Sequence, residues 1–374
     1  MQNPNSILEL GVGDGSILKS VSRRWKDAIY TGFEIDLDLV EKIKKDNNKC
    51  NIYQKDCSVL NLDADFMTRK EFFDVCVCNP PFHSVINNST IKNLIEEMEL
   101  RYLLDVKRLG LDLVFLLQNL LFLRRGGELG IIIPDGVATN ITFRKVREYL
   151  VSNYNLVKLI ELPTNGFKNT DAQTHILILS KVKDRSPKVE LLKSNIRGEI
   201  VGEIVVDIDR LIERMDYSFH FWKSGHTGNK LVRTLGELDV TITRGKHSKK
   251  KLSLMQLPFV HTSDIPDTNL FIIESNRYQT SLSQVPDEKS LAEKGDILIT
   301  RVGKRCVGRS AMLGIDRAII SDCLIKIRVN SPLERELLFQ ALNSENGKAW
   351  INAHIHGTCA RLISMRDLYS FPLT

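Results

Sequence analysis

Short apolar runs alternate with amphipathic stretches through the first half of the chain. Residues 6–12 (SILELGV) form a brief apolar run that predicts a buried strand. A glycine-rich turn follows at Gly11 to Gly15, and the spacing from Ser16 to Lys26 predicts a helix. The alternation continues with a strand over Ile29 to Ile35, a helix over Leu37 to Asn47 and strands over Asn51 to Lys55 and Phe73 to Cys78. Leu, Phe and Met at helical spacing make Leu94 to Leu123 predominantly helical, with Gly126-Gly127 as its stop. Glu128 to Pro134 predicts a strand, Thr142 to Tyr154 a helix, and Leu156 to Leu162 and Thr174 to Lys181 two further strands. Strands alternating with helices predict an α/β fold, a parallel sheet covered on both faces.

The pattern changes near residue 183. Val189 to Ile208 mixes short β-like runs with charges, and Lys223 to Gly228 (KSGHTG) is the predicted linker. Short strands, turns and one late helix from Pro332 to Ala353 follow. The predicted division is a first domain over 1–222 and a smaller α+β domain over 229–374.

Composition is that of an ordinary globular protein: 374 residues, 43% apolar and 26% charged. No apolar run is long and uncharged enough to cross a bilayer, since Asp112, Arg124, Arg125 and Glu128 interrupt residues 111–133. No membrane partner and no signal peptide are expected. Seven scattered cysteines read as free thiols in a reducing cytoplasm, and Cys76-x-Cys78 lacks the partners a metal site would need. Charge is uneven. Residues 1–228 balance 31 Lys+Arg against 31 Asp+Glu, so the whole net charge of +6 sits in 229–374, which suggests a polyanionic partner.

Candidate chemistry lies at the predicted strand ends. The turn ELGVGDG (Glu9 to Gly15) sits where doubly wound sheets bind a cofactor, and an acid, Glu34, ends the second strand. A carboxylate there can take both ribose hydroxyls of either NAD or S-adenosylmethionine. Asp56, after the third strand, can accept from the exocyclic amine of an adenine ring. The fourth strand stops on Asn79-Pro80-Pro81-Phe82, where two prolines fix a rigid turn holding an amide at one end and a ring at the other. Any one of these acids alone could be a helix cap or a surface carboxylate.

Together, in this order, the four features resemble the S-adenosylmethionine-dependent amino-methyltransferases. That resemblance implies a Rossmann-like domain with Gly11, Gly13 and Gly15 facing the methionine part of S-adenosyl-L-methionine. It gives the ammonium group to Glu9 or Asp14, the ribose to Glu34 and the adenine N6 to Asp56, with Ile35 and Cys57 flanking the ring. The Asn79 side-chain oxygen and the Pro80 carbonyl would accept from the target NH2, and Phe82 would stack on a flipped base. Adenine in DNA, guanine N2 in RNA and a glutamine amide in a protein are all served by such a motif.

The remaining chain narrows these. Residues 295–313 (GDILITRVGKRCVGRSAML) lead a stretch from 229 to 374 that resembles the target-recognition domains of type I specificity subunits and TaqI-type adenine methylases. Arg301, Lys304, Arg305 and Arg309 form one predicted basic cluster for DNA contact, and Arg244, Lys246 and Lys249 to Lys251 a second. Residues 6–181 resemble gamma-class N6-adenine DNA methyltransferases. The resemblance implies a restriction-modification enzyme acting on double-stranded DNA, with a restriction endonuclease or specificity subunit as further partners. A weakly catalytic specificity component and an RNA methyltransferase are the alternatives. No fused nuclease segment is evident. Two departures stand out. His175 and Leu179, with Phe167, occupy the region where a second aromatic is expected against the base. Only five residues precede the first strand, where a cofactor-closing helix is usual; this leaves truncation, weak cofactor binding or completion by a partner as readings.

Overall fold

The computed structural model of the chain describes residues 3–46, 50–58, 70–164, 166–167, 172–182, 184–226, 233–281, 283, 285, 287–303, 305–357 and 360–373. It divides into two compact units, Met1–Tyr217 and Ser218–Thr374.

The first unit is built on a nine-stranded sheet. Its elements run β1 (Ser6–Leu10), α1 (Ser16–Arg24), β2 (Ile29–Glu34), α2 (Leu37–Asp46), β3 (Cys50–Gln54) and β4 (Phe73–Cys78). A small hairpin, β5 (Ser84–Ile86) and β6 (Arg108–Gly110), brackets α3 (Ser89–Glu97). Then come α4 (Leu111–Phe122), β7 (Leu123–Pro134), α5 (Asp135–Thr139), α6 (Arg144–Asn153), β8 (Asn155–Glu161), β9 (Thr174–Ser180), β10 (Lys188–Ser194) and β11 (Ile200–Asp207). Strand order is β11-β10-β8-β9-β7-β4-β1-β2-β3.

The sheet is mixed, which corrects the all-parallel expectation. β3, β2, β1, β4 and β7 are parallel, but β9 runs antiparallel to both β7 and β8, and β11 antiparallel to β10. An apolar run long enough for a strand does not encode its direction. The alternation along β1 explains the layers. Ile7 packs with Val21, Tyr30, Val40 and Ile43 on one face, while Leu8 and Leu10 join α3 and α4 on the other. All twelve residues of α4 are buried, hence its near-continuous apolar sequence.

Three further corrections concern boundaries. The helical stretch over Leu94 to Leu123 is two helices separated by β6, because the segment before Leu111 pairs with β5 instead. Gly126-Gly127 does not end a helix. It lies within β7, where the register against β4 slips between Phe73 and Val75, a bulge that Gly126 accommodates at φ +78°. Residues 223–226 of the predicted linker are the end of helix α7 (Tyr217–His226), and the remaining two lie outside the described residues.

The second unit contains a five-stranded sheet, β12-β19-β16-β17-β14, and a three-stranded one, β13-β18-β15. The strands are β12 (Val240–Arg244), β13 (Phe259–Val260), β14 (Phe271–Ile273), β15 (Leu291–Glu293), β16 (Ile297–Thr300), β17 (Ser310–Leu313), β18 (Arg317–Ile320) and β19 (Leu324–Val329). A short helix, α8 (Lys249–Leu254), follows β12. The late helix is two, α9 (Pro332–Asn343) and α10 (Glu345–His354). Ser344 breaks the run by leaving the helical conformation and accepting from the Gly347 N–H, so it caps the second helix. A last turn, α11 (Met365–Leu368), lies near the C-terminus. Trp350 anchors the core, stacked on His354 and edge-on to Phe371.

Candidate active site

Parallel strands end together. β1, β2, β3, β4 and β7 deliver their carboxyl ends to one edge of the sheet, and the strand order reverses between β1 and β4. A crevice opens at such a reversal because the connections leave toward opposite faces. The glycine turn after β1 and Asn79 after β4 flank it.

The turn is held from the neighbouring strand. The N–H groups of Gly11 and Val12 both donate to the Phe33 carbonyl, at 2.8 and 3.0 Å. Gly11, Gly13 and Gly15 have φ of +71°, +58° and +78°, a region that disfavours any side chain. A Cβ at Gly11 would also press on the Phe115 ring at 3.1 Å.

Glu34 ties the turn to β2. One carboxylate oxygen accepts from the Gly13 N–H at 2.8 Å; the other accepts from Ile35 and Asp36 at 2.8 and 3.1 Å. Next to it, Ile35 is 63% exposed, an apolar surface open at the crevice edge. Asp56 is exposed and accepts from the Ser58 N–H at 2.8 Å. Cys57 is buried against the turn. Burial pushes its thiol up to about 12, which makes it an inert apolar wall at neutral pH. Gln118 on α4 donates to the Cys57 carbonyl and fixes this corner from below.

The two acids of the turn differ. Asp14 is exposed and accepts from the Ser16 N–H and hydroxyl at 3.0 and 2.6 Å; these bonds hold its carboxyl below its ordinary range. Glu9 is buried beneath the turn and accepts from the Tyr30 hydroxyl. Burial, then the charges of Asp14 and Glu34, push Glu9 well above the usual carboxylate range. A cation arriving here would relieve that penalty.

Asn79 is exposed, and its amide makes no hydrogen bond among the described residues. Pro80 is buried, Pro81 exposed and Phe82 half-buried. The Leu111 N–H donates to the His83 carbonyl at 2.8 Å, so the start of α4 is bound to the end of the motif. The same first turn carries Asp112, a buried acid pushed up to about 6 by burial. In the sequence Asp112 registers only as a charge interrupting an apolar run. Its position at the head of a largely apolar helix was the available signal.

His175 and Leu179 cannot face a base. They are 1% and 0% exposed, on the inner side of β9, and His175 is bonded to Asp135. Phe167 is half-buried.

In the second unit, Arg309 is bound within the protein, to Asp267 at 3.5 Å and to the Arg305 carbonyl at 3.0 Å. Arg305 is exposed, whereas Arg301 stands apart beside Arg244. Lys246 lies 3.8 Å from Asp287. Lys304 lies outside the described residues.

Comparison with known proteins bears on the first unit. Residues 39–202 match the N-6 DNA methylase family. The matched residues take in Asp56 and the Asn79 motif, while the glycine turn and Glu34 precede them. The chain is 26% identical over 207 residues to the type I restriction enzyme MpnII methylase subunit of Mycoplasma pneumoniae, covering 50% of this chain and 37% of that protein. It is 25% identical over 173 residues to the type II methyltransferase M.BanIII of Aneurinibacillus aneurinilyticus, covering 41% and 29%. A solved type IIG restriction endonuclease, BpuSI, covers 98% of this chain and 55% of its own at 13% identity and a TM-score of 0.49. The matches span 14% to 37% of the length of the curated relatives.

Proposed function

We propose that the chain is a DNA adenine-N6 methyltransferase of a restriction-modification system, and that it uses S-adenosyl-L-methionine. The observation that carries the reading is the placement of Asn79. An amide with unmet hydrogen-bonding capacity projects at the strand-order reversal, one strand away from a glycine turn braced by a buried acid.

The residues present fit such a cofactor. The turn from Gly11 to Gly15 offers close backbone approach, and Glu9, or Asp14 in its place, supplies a carboxylate for an ammonium group. Glu9 is favoured because it is buried with no cationic partner among the described residues. Glu34 would take ribose hydroxyls and Asp56 the adenine amine, with Ile35 and Cys57 against the ring. When bound, the cofactor supplies an electrophilic methyl group.

What the chain does to the acceptor follows from Asn79 and Pro80. An aromatic amine is a poor nucleophile because its lone pair is delocalised into the ring. The Asn79 oxygen and the Pro80 carbonyl accept from its two N–H bonds, drawing the nitrogen toward tetrahedral geometry. Phe82 holds the base plane. Positioning and electrostatics provide the acceleration, and no covalent nucleophile is required. The target must leave the duplex stack to reach this motif. The basic residues Arg244, Lys246, Arg301, Lys304 and Arg305 of the second unit are the candidate DNA contacts; Arg309 is left out of the set because its guanidinium is bonded to Asp267 and the Arg305 carbonyl. A specificity or restriction subunit is the expected further partner.

The test is methylation of plasmid DNA followed by modification-sensitive sequencing, with Asn79→Ala as the control. N6-methyladenine at a defined site is expected from the parent chain and at least about a hundredfold less from the variant. Transfer to RNA alone, or to neither, sinks the reading.

A further inference from the structure

Arg244 and Arg301 stand at one end of the five-stranded sheet. Arg244 ends β12 opposite Ile325, and Thr300 ends β16 opposite Leu324. β19 runs between these two strands, so the arginines flank its first residues. Both backbones are pinned there: the Gly245 N–H donates to the Leu324 carbonyl at 3.3 Å and the Arg301 N–H to the Cys323 carbonyl at 2.8 Å. A Cβ on Gly245 would lie 2.2 Å from the Ser321 carbonyl oxygen, so a glycine is needed for this close approach.

The arrangement is electrostatically unfavourable as it stands. Burial, and then the charge of Arg244, hold the Arg301 guanidinium below its ordinary range, with Cys323 and Asp322 acting in the opposite sense. Neither guanidinium makes a side-chain hydrogen bond or ion pair among the described residues. Each carries five donors in a planar fork suited to phosphate oxygens. Arg244 also lines a cleft of about 440 Å³ with Lys246, Lys289 and Asp287. Beyond it, Lys249, Lys250 and Lys251 are exposed on α8.

We propose that Arg244 and Arg301 clamp one backbone phosphate of duplex DNA, with Lys246 and Lys289 serving the adjoining phosphates. The inference rests on the reading of the second unit as DNA-engaging and adds which cations do the work. A string of cations along an open cleft exceeds what one small anion can neutralise, which favours a polymer. Arg309 is excluded because Asp267 and the Arg305 carbonyl already occupy it. The grouping by sequence is thereby redrawn: Arg301 leaves its neighbours Arg305 and Arg309 and joins Arg244, some sixty positions away in the chain.

The test is anisotropy of a labelled duplex with the full chain over a sodium chloride series. Arg244→Gln and Arg301→Gln should each lower the salt slope by about one and weaken binding roughly tenfold. Arg301→Lys should keep the slope, and Arg309→Gln should match the parent in both. Arg244 is exposed, so its variant tests the idea even if the Arg301 variants fold poorly. Inorganic phosphate should compete no better than chloride at equal ionic strength. Unchanged slopes in the Arg244 variant, an equal loss in Arg309→Gln, or specific displacement by phosphate each overturn the clamp. Methyl transfer by the parent chain is measured alongside. Transfer with unchanged slopes removes the clamp alone, whereas neither binding nor transfer removes both readings.

Discussion

The Nε2 atom of His175 lies 2.9 Å from a carboxylate oxygen of Asp135, and both residues are buried. The pair closes the edge where β7 ends and β9 begins, with Thr139 donating to the other Asp135 oxygen at 3.0 Å. Burial opposes the protonated imidazole. The bond to Asp135, its charge, and the more distant charges of Glu161 and Asp216 outweigh that and raise the His175 pKa above its ordinary value. A raised folded-state pKa stabilises fully below the unfolded value, roughly 6.5, and is lost as pH rises through the folded value. Stability should therefore decline as pH rises above roughly 6.5. His175→Gln should flatten that dependence, and His175→Ala should cost about 3–5 kcal/mol. Denaturant melts across pH check both; a parent curve that rises with pH in this window would contradict the assignment.

Asn79→Ala should reduce methyl transfer by about 10²–10³-fold, the usual cost of removing one preorganised polar group. Duplex binding should persist within about twofold, because the residue bears no charge. Single-turnover transfer set beside anisotropy measures the two, and a variant that keeps its transfer rate removes Asn79 from the chemistry.

Glu34→Gln should weaken S-adenosyl-L-methionine binding by more than one lost ribose contact. An amide presents one acceptor oxygen where the carboxylate uses both, for Gly13 on one side and Ile35 and Asp36 on the other. Losing one such charge-assisted bond costs about 1.5–3 kcal/mol, and the turn loosens with it. Calorimetry should show at least a tenfold rise in Kd together with a lower melting temperature. A change in Kd with melting unaltered would mean that the acid contacts ligand but does not brace the turn.

Much of the first unit is legible in the sequence. The strand ends that carry Glu34, Asp56 and Asn79 are placed to within a residue or two, because each short apolar run there is rich in strand-forming residues and is stopped by Asp or Asn-Pro. Strand direction was not legible. Nothing in the apolar run from Thr174 to Ser180 reports that it enters between β7 and β8 the opposite way. The break at Leu111 was hidden for a related reason: β6 satisfies its backbone against β5, a partner more than twenty residues earlier. The basic residues were legible as a composition and illegible as a surface. Arg301 and Arg309 are close in sequence, yet Arg309 is bonded to Asp267 and the Arg305 carbonyl while Arg301 lies beside Arg244, at the end of another strand.

The pairing of β1 with β4 carries a kinetic consequence. Ser6 and Asp74 are bonded across 68 positions, whereas β1 with β2 and β2 with β3 join across about twenty. Loop closure over the longer span is entropically dearer and slower. The half of the crevice that would hold the cofactor is assembled from near neighbours, and the half that would meet the base arrives from afar. Pulsed hydrogen exchange during refolding should protect β2 and β3 before β4. Equal protection of all three at the earliest times would mean that the crevice forms in one step.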